Sequence, residues 1–366
     1  MHLETLRVTD LRCFGTASLA LAPGLNLFLG PNGSGKTSLI EAAYLLSHGN
    51  SFRRGARDAL VRRGADGFVV FGAWRARDGA PFRLGLERRG GQWTARIDDE
   101  PVRRLSDLFL RCAVCCFEPG SHALVGGAPE ERRSYWDWTL FHVEPAFLET
   151  WRRYQRALKQ RNALLRQQAP DTAFEPWDLE LATSGEALGR MRAVVLDRIE
   201  SVFAHTAARL LPELGEARLP AEPGWDTGAE DGLRGELARR LPLDRVRGST
   251  SRGPHRADFR PTFVGAPQRE HLSRGQEKLT ALALILAQAT LFRDVRGEWP
   301  VLAFDDLPSE LDFAHQAHVL DALAGQGAQV LVTATEASPP LAARLAEAAV
   351  FHVEHGNVSP AGAPPG

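Results

Sequence analysis

Apolar and polar residues alternate between residues 68 and 98. Phe82, Leu84 and Leu86 are interleaved with Arg83, Gly85 and Glu87, and Trp93, Ala95 and Ile97 continue the pattern. A period of two gives a strand one apolar and one polar face, and Asp78-Gly79 and Gly90-Gly91 supply turns. This stretch predicts antiparallel β structure. Over 129–214 the period lengthens. Trp151, Tyr154, Leu158 and Leu165 keep one face apolar at helical spacing, which predicts helices. Residues 1–30 predict two strands; Leu25-Asn26-Leu27-Phe28-Leu29 is short and apolar, like a buried strand. Residues 220–235, rich in Pro, Gly and acid, predict a loop. Short strands follow Pro254, and a long apolar helix begins at Ser273. Residues 301–366 alternate strand with helix, the pattern of an α/β layer. The tail 359–366 predicts disorder.

The loop after residues 25–29 carries the most specific chemistry. Gly30-Pro31-Asn32-Gly33-Ser34-Gly35-Lys36-Thr37, followed by Ser38, fits the P-loop pattern of Gly, four residues, Gly, Lys, Thr. Successive N–H groups of such a turn face one concavity and cradle phosphates, and the following helix N-terminus adds positive potential. Lys36 reaches the β and γ phosphates, and the Thr37 hydroxyl ligates Mg²⁺. Leu39, Ala42, Ala43 and Leu46 then recur at helical spacing and Gly49 offers a stop. Strand, loop and helix is the context this motif requires. The chain is expected to bind a nucleoside triphosphate.

Two further stretches complete that reading. Val301-Leu302-Ala303-Phe304-Asp305-Asp306 is an apolar strand ending in two carboxylates. Beside a P-loop, Asp305 would hold Mg²⁺ and Asp306 would orient or activate the attacking water. Alternation along the strand would point the two acids in different directions. Leu272-Ser273-Arg274-Gly275-Gln276-Glu277-Lys278 is a helix start, with Ser273 as N-cap and Glu277 favoured in the first turn. Beside the other motifs it also resembles the signature motif of ABC-type ATPases, and Glu310-Leu311-Asp312 resembles their D-loop. That resemblance implies that Ser273, Gly275 and Gln276 meet the γ phosphate of ATP held by another subunit. With one P-loop and one signature per chain, it implies an ATP-dependent homodimer with two composite sites.

The expected fold is therefore α/β: an ABC-type P-loop ATPase head with an antiparallel β subdomain and an inserted, mostly helical lobe. Lobe I takes residues 1–118 and 295–366, and lobe II takes 119–294. The strands at 25 and 301 must lie in one sheet for their motifs to meet.

Composition excludes several classes. Charged content of 24% and hydrophobic content of 44% are those of a globular protein. Neither a signal-peptide core nor a ~20-residue apolar span is present, which predicts a cytoplasmic protein with no membrane partner. Cys112, Cys115 and Cys116 lack a second pair at zinc-site spacing and read as core residues of a strand. Net charge is −1, but residues 301–366 hold eight acids and one base, so the excess of base lies earlier. Only three lysines occur among many arginines, and Lys36 is one of them. Residues 151–166 hold Arg152, Arg153, Arg156, Lys159, Arg161 and Arg166 with no acid, as a phosphate-contacting helix or a solvated face would. Arg53 and Arg54, with Arg57, Arg62 and Arg63, form a basic loop after the P-loop helix; it resembles the arginine loop of SMC-like ATPases, which implies contact with nucleotide, DNA or both, and it also reads as a plain basic surface loop. His255 and Arg256 read equally as a structural loop or a site, without a catalytic role.

The whole chain resembles the RecF family of bacterial DNA-repair ATPases, relatives of the SMC proteins. The resemblance rests on Phe117-Glu118-Pro119, Glu131-Arg132-Arg133, residues 153–162, Gly253-Pro254-His255-Arg256 and Ser273-Arg274-Gly275-Gln276. It implies ATP-dependent DNA binding with weak, DNA-dependent ATP hydrolysis. It also implies recombinase loading with RecO and RecR and support of SOS induction. Three departures from ABC-type ATPases stand out. Asp306 replaces the usual Glu, the Q-loop Gln is replaced near Glu118, and the switch His is absent from Val332-Thr333-Ala334-Thr335, which leaves Thr333 or Thr335 as the candidate in its place. The alternatives are a transporter ATPase subunit, disfavoured by Arg274 and the arginine-rich insert, and an SMC-related nuclease, for which no extra metal cluster is seen.

Overall fold

The computed structural model describes residues 1–53, 57–265 and 272–361. The chain forms two compact units, 1–121 with 288–366 and 122–287. The sequence boundaries at 118/119 and 294/295 differ from these. The second falls inside the helix Arg274–Arg296, where no turn marks the change of unit.

The first unit holds two six-stranded sheets. One is antiparallel, in the order Phe14–Ala20, His2–Leu11, Gly67–Arg75, Pro81–Arg89, Gln92–Ile97, Glu100–Pro101. Its strands alternate as read: Phe82, Leu84, Leu86 and Ala95 are buried, and Arg83 and Arg96 face solvent. Residues 1–30 form three strands rather than two. The extra break is a turn in which Asp10 and Arg12 take left-handed backbone (φ 51° and 55°), without the Gly or Pro that announces such turns.

The second sheet runs in the order Asn357–Pro360, Ala349–Glu354, Leu25–Leu29, Val330–Ala334, Val301–Phe304, Val114–Phe117. All neighbours are parallel except the terminal hairpin, so Ser359 and Pro360 of the predicted disordered tail lie in a strand. The strands at 25 and 301 share this sheet, with Val330–Ala334 between them. The P-loop helix, Lys36–His48, touches strands of both sheets. It is mostly apolar and buried on every side: Leu39, Ile40, Ala42, Ala43, Leu45 and Leu46 are fully buried. Such a helix is stable only when enclosed, and each buried leucine contributes about 2 kcal/mol. That enclosure fixes the loop at its N-terminus.

The second unit is mostly helical, built on Pro129–Val143, Phe147–Arg166, Glu175–Leu210 and Gly232–Arg247. The last helix begins at Gly232, inside the stretch read as a loop. Two two-stranded ribbons, 217–218 with 262–263 and 221–222 with 258–259, complete the unit. Its core includes Trp136, Tyr154, Phe203 and Phe259. Polar groups are also buried there as matched sets: Arg132 forks onto Asp258 at 2.7 and 2.9 Å, and Tyr154 meets His255 Nδ1 at 2.5 Å.

Candidate nucleotide-binding site

The P-loop turns under tight constraint. Gly35 has φ 116°, and a Cβ there would lie 2.7 Å from Cys13 Sγ and 2.8 Å from the Phe14 ring. Only glycine fits both the backbone and the space. At Gly30 a Cβ would fall 2.0 Å from the Val353 carbonyl oxygen, so the neighbouring strand also requires glycine there. Lys36 Nζ donates to the carbonyls of Gly30 (2.7 Å) and Pro31 (2.9 Å), which closes the loop on itself. Burial lowers the Lys36 pKa, opposed by the nearby charges of Asp306 and Asp305. Ser34 is buried, and its carbonyl accepts from the Gly356 N–H at 3.1 Å.

A cavity of about 530 Å³ opens over this loop. Asn32, Gly33, Gly35, Lys36, Thr37 and Ser38 line one side, and Asp305, Asp306 and Thr333 line another. Arg12, Cys13, Arg53 and Pro119 complete it. Thr37 Oγ1 donates to Asp305 Oδ1 at 2.8 Å, which brings together the two side chains expected at Mg²⁺. Burial pushes the Asp305 carboxyl up, against the opposing hydrogen bonds from Thr333 and Thr37.

Asp305 and Asp306 line the same cavity, and strand alternation does not set their directions. The strand ends at Phe304, and Asp306 takes left-handed backbone (φ 53°) at the start of a one-turn helix. Thr333 sets this turn. Its Oγ1 donates to Asp305 Oδ1 (2.7 Å) and accepts from the Asp306 N–H (2.7 Å). Of the two threonines on this strand end, Thr333 is buried and bonded to the acidic pair, and Thr335 is exposed. Near the Q-loop position, the Glu118 carboxylate folds onto its own turn, accepting from the Gly120 N–H at 2.6 Å.

The donor set matches a triphosphate with a divalent cation: a cradle of N–H groups, one ammonium, one hydroxyl and a carboxylate. Comparison with known proteins bears on the nucleotide. A family model described as an AAA domain matches residues 5–73. The DNA replication and repair protein RecF of Xanthomonas euvesicatoria pv. vesicatoria is 49% identical over 363 residues, 98% of each chain. The chain belongs to the RecF family.

Among solved structures, the recombination mediator protein RecF-ATP in the RecFOR pathway superposes with a TM-score of 0.87 at 25% identity, covering 98% of this chain and 97% of that one. An Smc head bound to the C-winged helix domain of ScpA gives 0.61 at 16% identity, covering 98% and 97%. It shares the fold. The α/β ABC-type head is thus common to RecF and SMC heads.

Two residues of this RecF-family site escaped the sequence reading. Arg12 lines the cavity, and its guanidinium forks onto the fully buried Glu41 at 2.8 and 2.6 Å. Glu41 also accepts from Ser51, whose Oγ in turn takes the Arg53 N–H at 2.9 Å. One carboxylate on the P-loop helix therefore ties down both cationic edges of the cavity. A Glu inside an otherwise apolar helix was the signal available in the sequence. Arg53 lies on the cavity; Arg54 lies outside the described residues.

The signature residues belong to the other unit. Ser273 is an N-cap in a reciprocal capping box: Gln276 N–H donates to Ser273 Oγ (3.3 Å), and Ser273 N–H to Gln276 Oε1 (3.0 Å). Gln276 Nε2 also reaches Glu213 at 3.3 Å, and Gly275 is exposed.

The basic helix Phe147–Arg166 needs correction. Arg161 is fully buried, not a DNA contact. It donates to Asp178 (2.7 Å), Asp244 (2.7 Å), Thr250 (3.0 Å) and the Leu237 carbonyl (3.2 Å). Arg153 is exposed but forked onto Glu180, whereas Arg156 and Lys159 face solvent and Arg152 is half-buried. His255 bridges Tyr154 and the Thr250 carbonyl, and burial holds its pKa down to about 4. Of the two readings the sequence left open, loop or site, these buried contacts favour the structural one. Burial likewise raises the thiols of Cys112, Cys115 and Cys116, as for core residues.

Proposed function

We propose that the chain is an ATP-switched DNA-binding protein of recombinational repair, active as a homodimer. The observation that carries the proposal is one complete phosphate cradle and one signature helix start on the same RecF-family chain. In this reading the P-loop N–H groups and Lys36 hold the phosphates, and Thr37 and Asp305 hold Mg²⁺. Thr333 keeps the Asp306 turn aimed at the attacking water. Ser273 and the Gly275 N–H of the partner copy face the same phosphates from a helix N-terminus. ATP, when bound, supplies the negative charge that both surfaces share. Its hydrolysis removes that shared anchor and releases the dimer. The short Asp306 side chain suits slow turnover. Relatives named for DNA replication and repair, and a neighbour named for the RecFOR pathway, support DNA, RecO and RecR as partners. Among the described residues no helix is long and apolar enough to cross a membrane.

Light scattering with and without MgATP tests the switch. The expected result is a monomer without nucleotide and a dimer with it, and Ser273→Arg should block dimerisation while sparing ATP binding. A wild-type chain that stays monomeric under both conditions would remove the composite site.

A further inference from the structure

The antiparallel sheet carries a second basic cavity, separate from the nucleotide site. It measures about 640 Å³ and is lined by Arg62, Arg63 and Arg88, with Asp66 as its acid. Two distant segments build it. The Gly90 N–H donates to the Asp66 carbonyl (3.4 Å), and Gly67 pairs with Arg89 across the sheet. Arg88 is held at the floor, nearly buried, with its guanidinium 5.9 Å from the Trp93 ring centroid. Arg62 and Arg63 stand exposed at the rim, Arg62 within 3.3 Å of Asp10. At Gly64, Gly90 and Gly91 a Cβ would meet nothing within 4 Å, so the basin's edges are open space with no side chain over them.

The surroundings favour an extended polyanion. Residues 51–104 hold thirteen arginines and seven acids. Among the described residues the basin offers charge and bare backbone, with Val61 and Ala65 as its apolar lining and no aromatic lining on which a base would stack. A free nucleotide or an amphipathic peptide would leave its apolar part in water there. A chain of phosphodiesters needs only the guanidiniums. On the helix Phe147–Arg166, Arg161 is internal and Arg153 is paired, which leaves Arg152, Arg156 and Lys159 as the competing surface.

We propose that Arg62, Arg63 and Arg88 form a backbone-phosphate contact for DNA on the β subdomain. The inference rests on the DNA-binding reading above and names its contact surface. Contacts of this kind read no sequence and are lost with salt. Each phosphate neutralised on duplex DNA contributes about 0.9 to the slope of log affinity against log salt.

The test is fluorescence anisotropy of duplex DNA with MgATP across a salt series. It compares wild type, Arg63→Ala, Arg62→Ala/Arg63→Ala and, on the helix, Arg152→Ala/Arg156→Ala/Lys159→Ala. Arg63→Ala should lower the slope by about 0.9 and the double variant by about twice that, on any DNA sequence, with ATP affinity unchanged. ATP affinity also reports folding, and Arg63→Ala spares the Arg62–Asp10 pair. Wild-type slopes in both basin variants would overturn the proposal, as would a loss confined to the helix variant. So would basin variants that keep DNA but lose an acidic protein partner. Wild type that binds no DNA would overturn the underlying reading and the contact surface together, a result distinct from the others.

Discussion

At the scale of single residues, the P-loop was legible because it is contiguous. Its glycines, Lys36 and Thr37 lie within eight positions, and local spacing encodes their geometry. Thr333 was not. In the sequence it is one β-branched residue in an apolar strand, and its two partners lie 28 and 27 residues away. They meet only because Phe304 pairs with Val332 in parallel register. Arg12 escaped for the same reason, since Glu41 is 29 residues distant. Replacing Thr333 by Val keeps the shape and removes both hydrogen bonds. We expect Thr333→Val to lower ATP turnover roughly tenfold or more, the scale on which a misplaced general base acts, with ATP affinity little changed. Thr335→Val, on the exposed side, should leave turnover near wild type. Steady-state phosphate release alongside nucleotide titration distinguishes the two, and equal effects would deny Thr333 its role.

At the scale of elements, periodicity located the alternating strands and the apolar face of Phe147–Arg166. It misassigned that helix's charges. Counting bases on one helix cannot reveal acids supplied by others, and Arg161 meets Asp178 from Glu175–Leu210 and Asp244 from Gly232–Arg247. Burying a guanidinium is tolerable only when its charge and donors are satisfied, and here two carboxylates, a hydroxyl and a carbonyl do so. The residue fastens three helices. Arg161→Met would leave Asp244 buried without its partner and should destabilise the protein by about 3–5 kcal/mol in urea unfolding. Lys159→Ala, two residues away and exposed, should stay within about 0.5 kcal/mol. Similar melts for both would mean that the Arg161 cluster carries no structural load.

At the scale of the whole molecule, the two ends of the chain had to share a sheet because their motifs serve one ligand, and they do: Leu25–Leu29 and Val301–Phe304 flank Val330–Ala334. The unit boundary inside Arg274–Arg296 was hidden, since a continuous helix offers no break in pattern. The central claim concerns two molecules: the cradle of one chain is completed by the signature helix of another. Mixing complementary variants tests it most directly. Lys36→Ala loses its own cradle but keeps Ser273, and Ser273→Arg keeps its cradle but loses the signature. A mixed dimer contains one intact composite site. We expect ATP hydrolysis near background for each variant alone and a clear recovery when they are mixed in equal amounts. Wild-type turnover by the Ser273→Arg chain on its own would contradict the account.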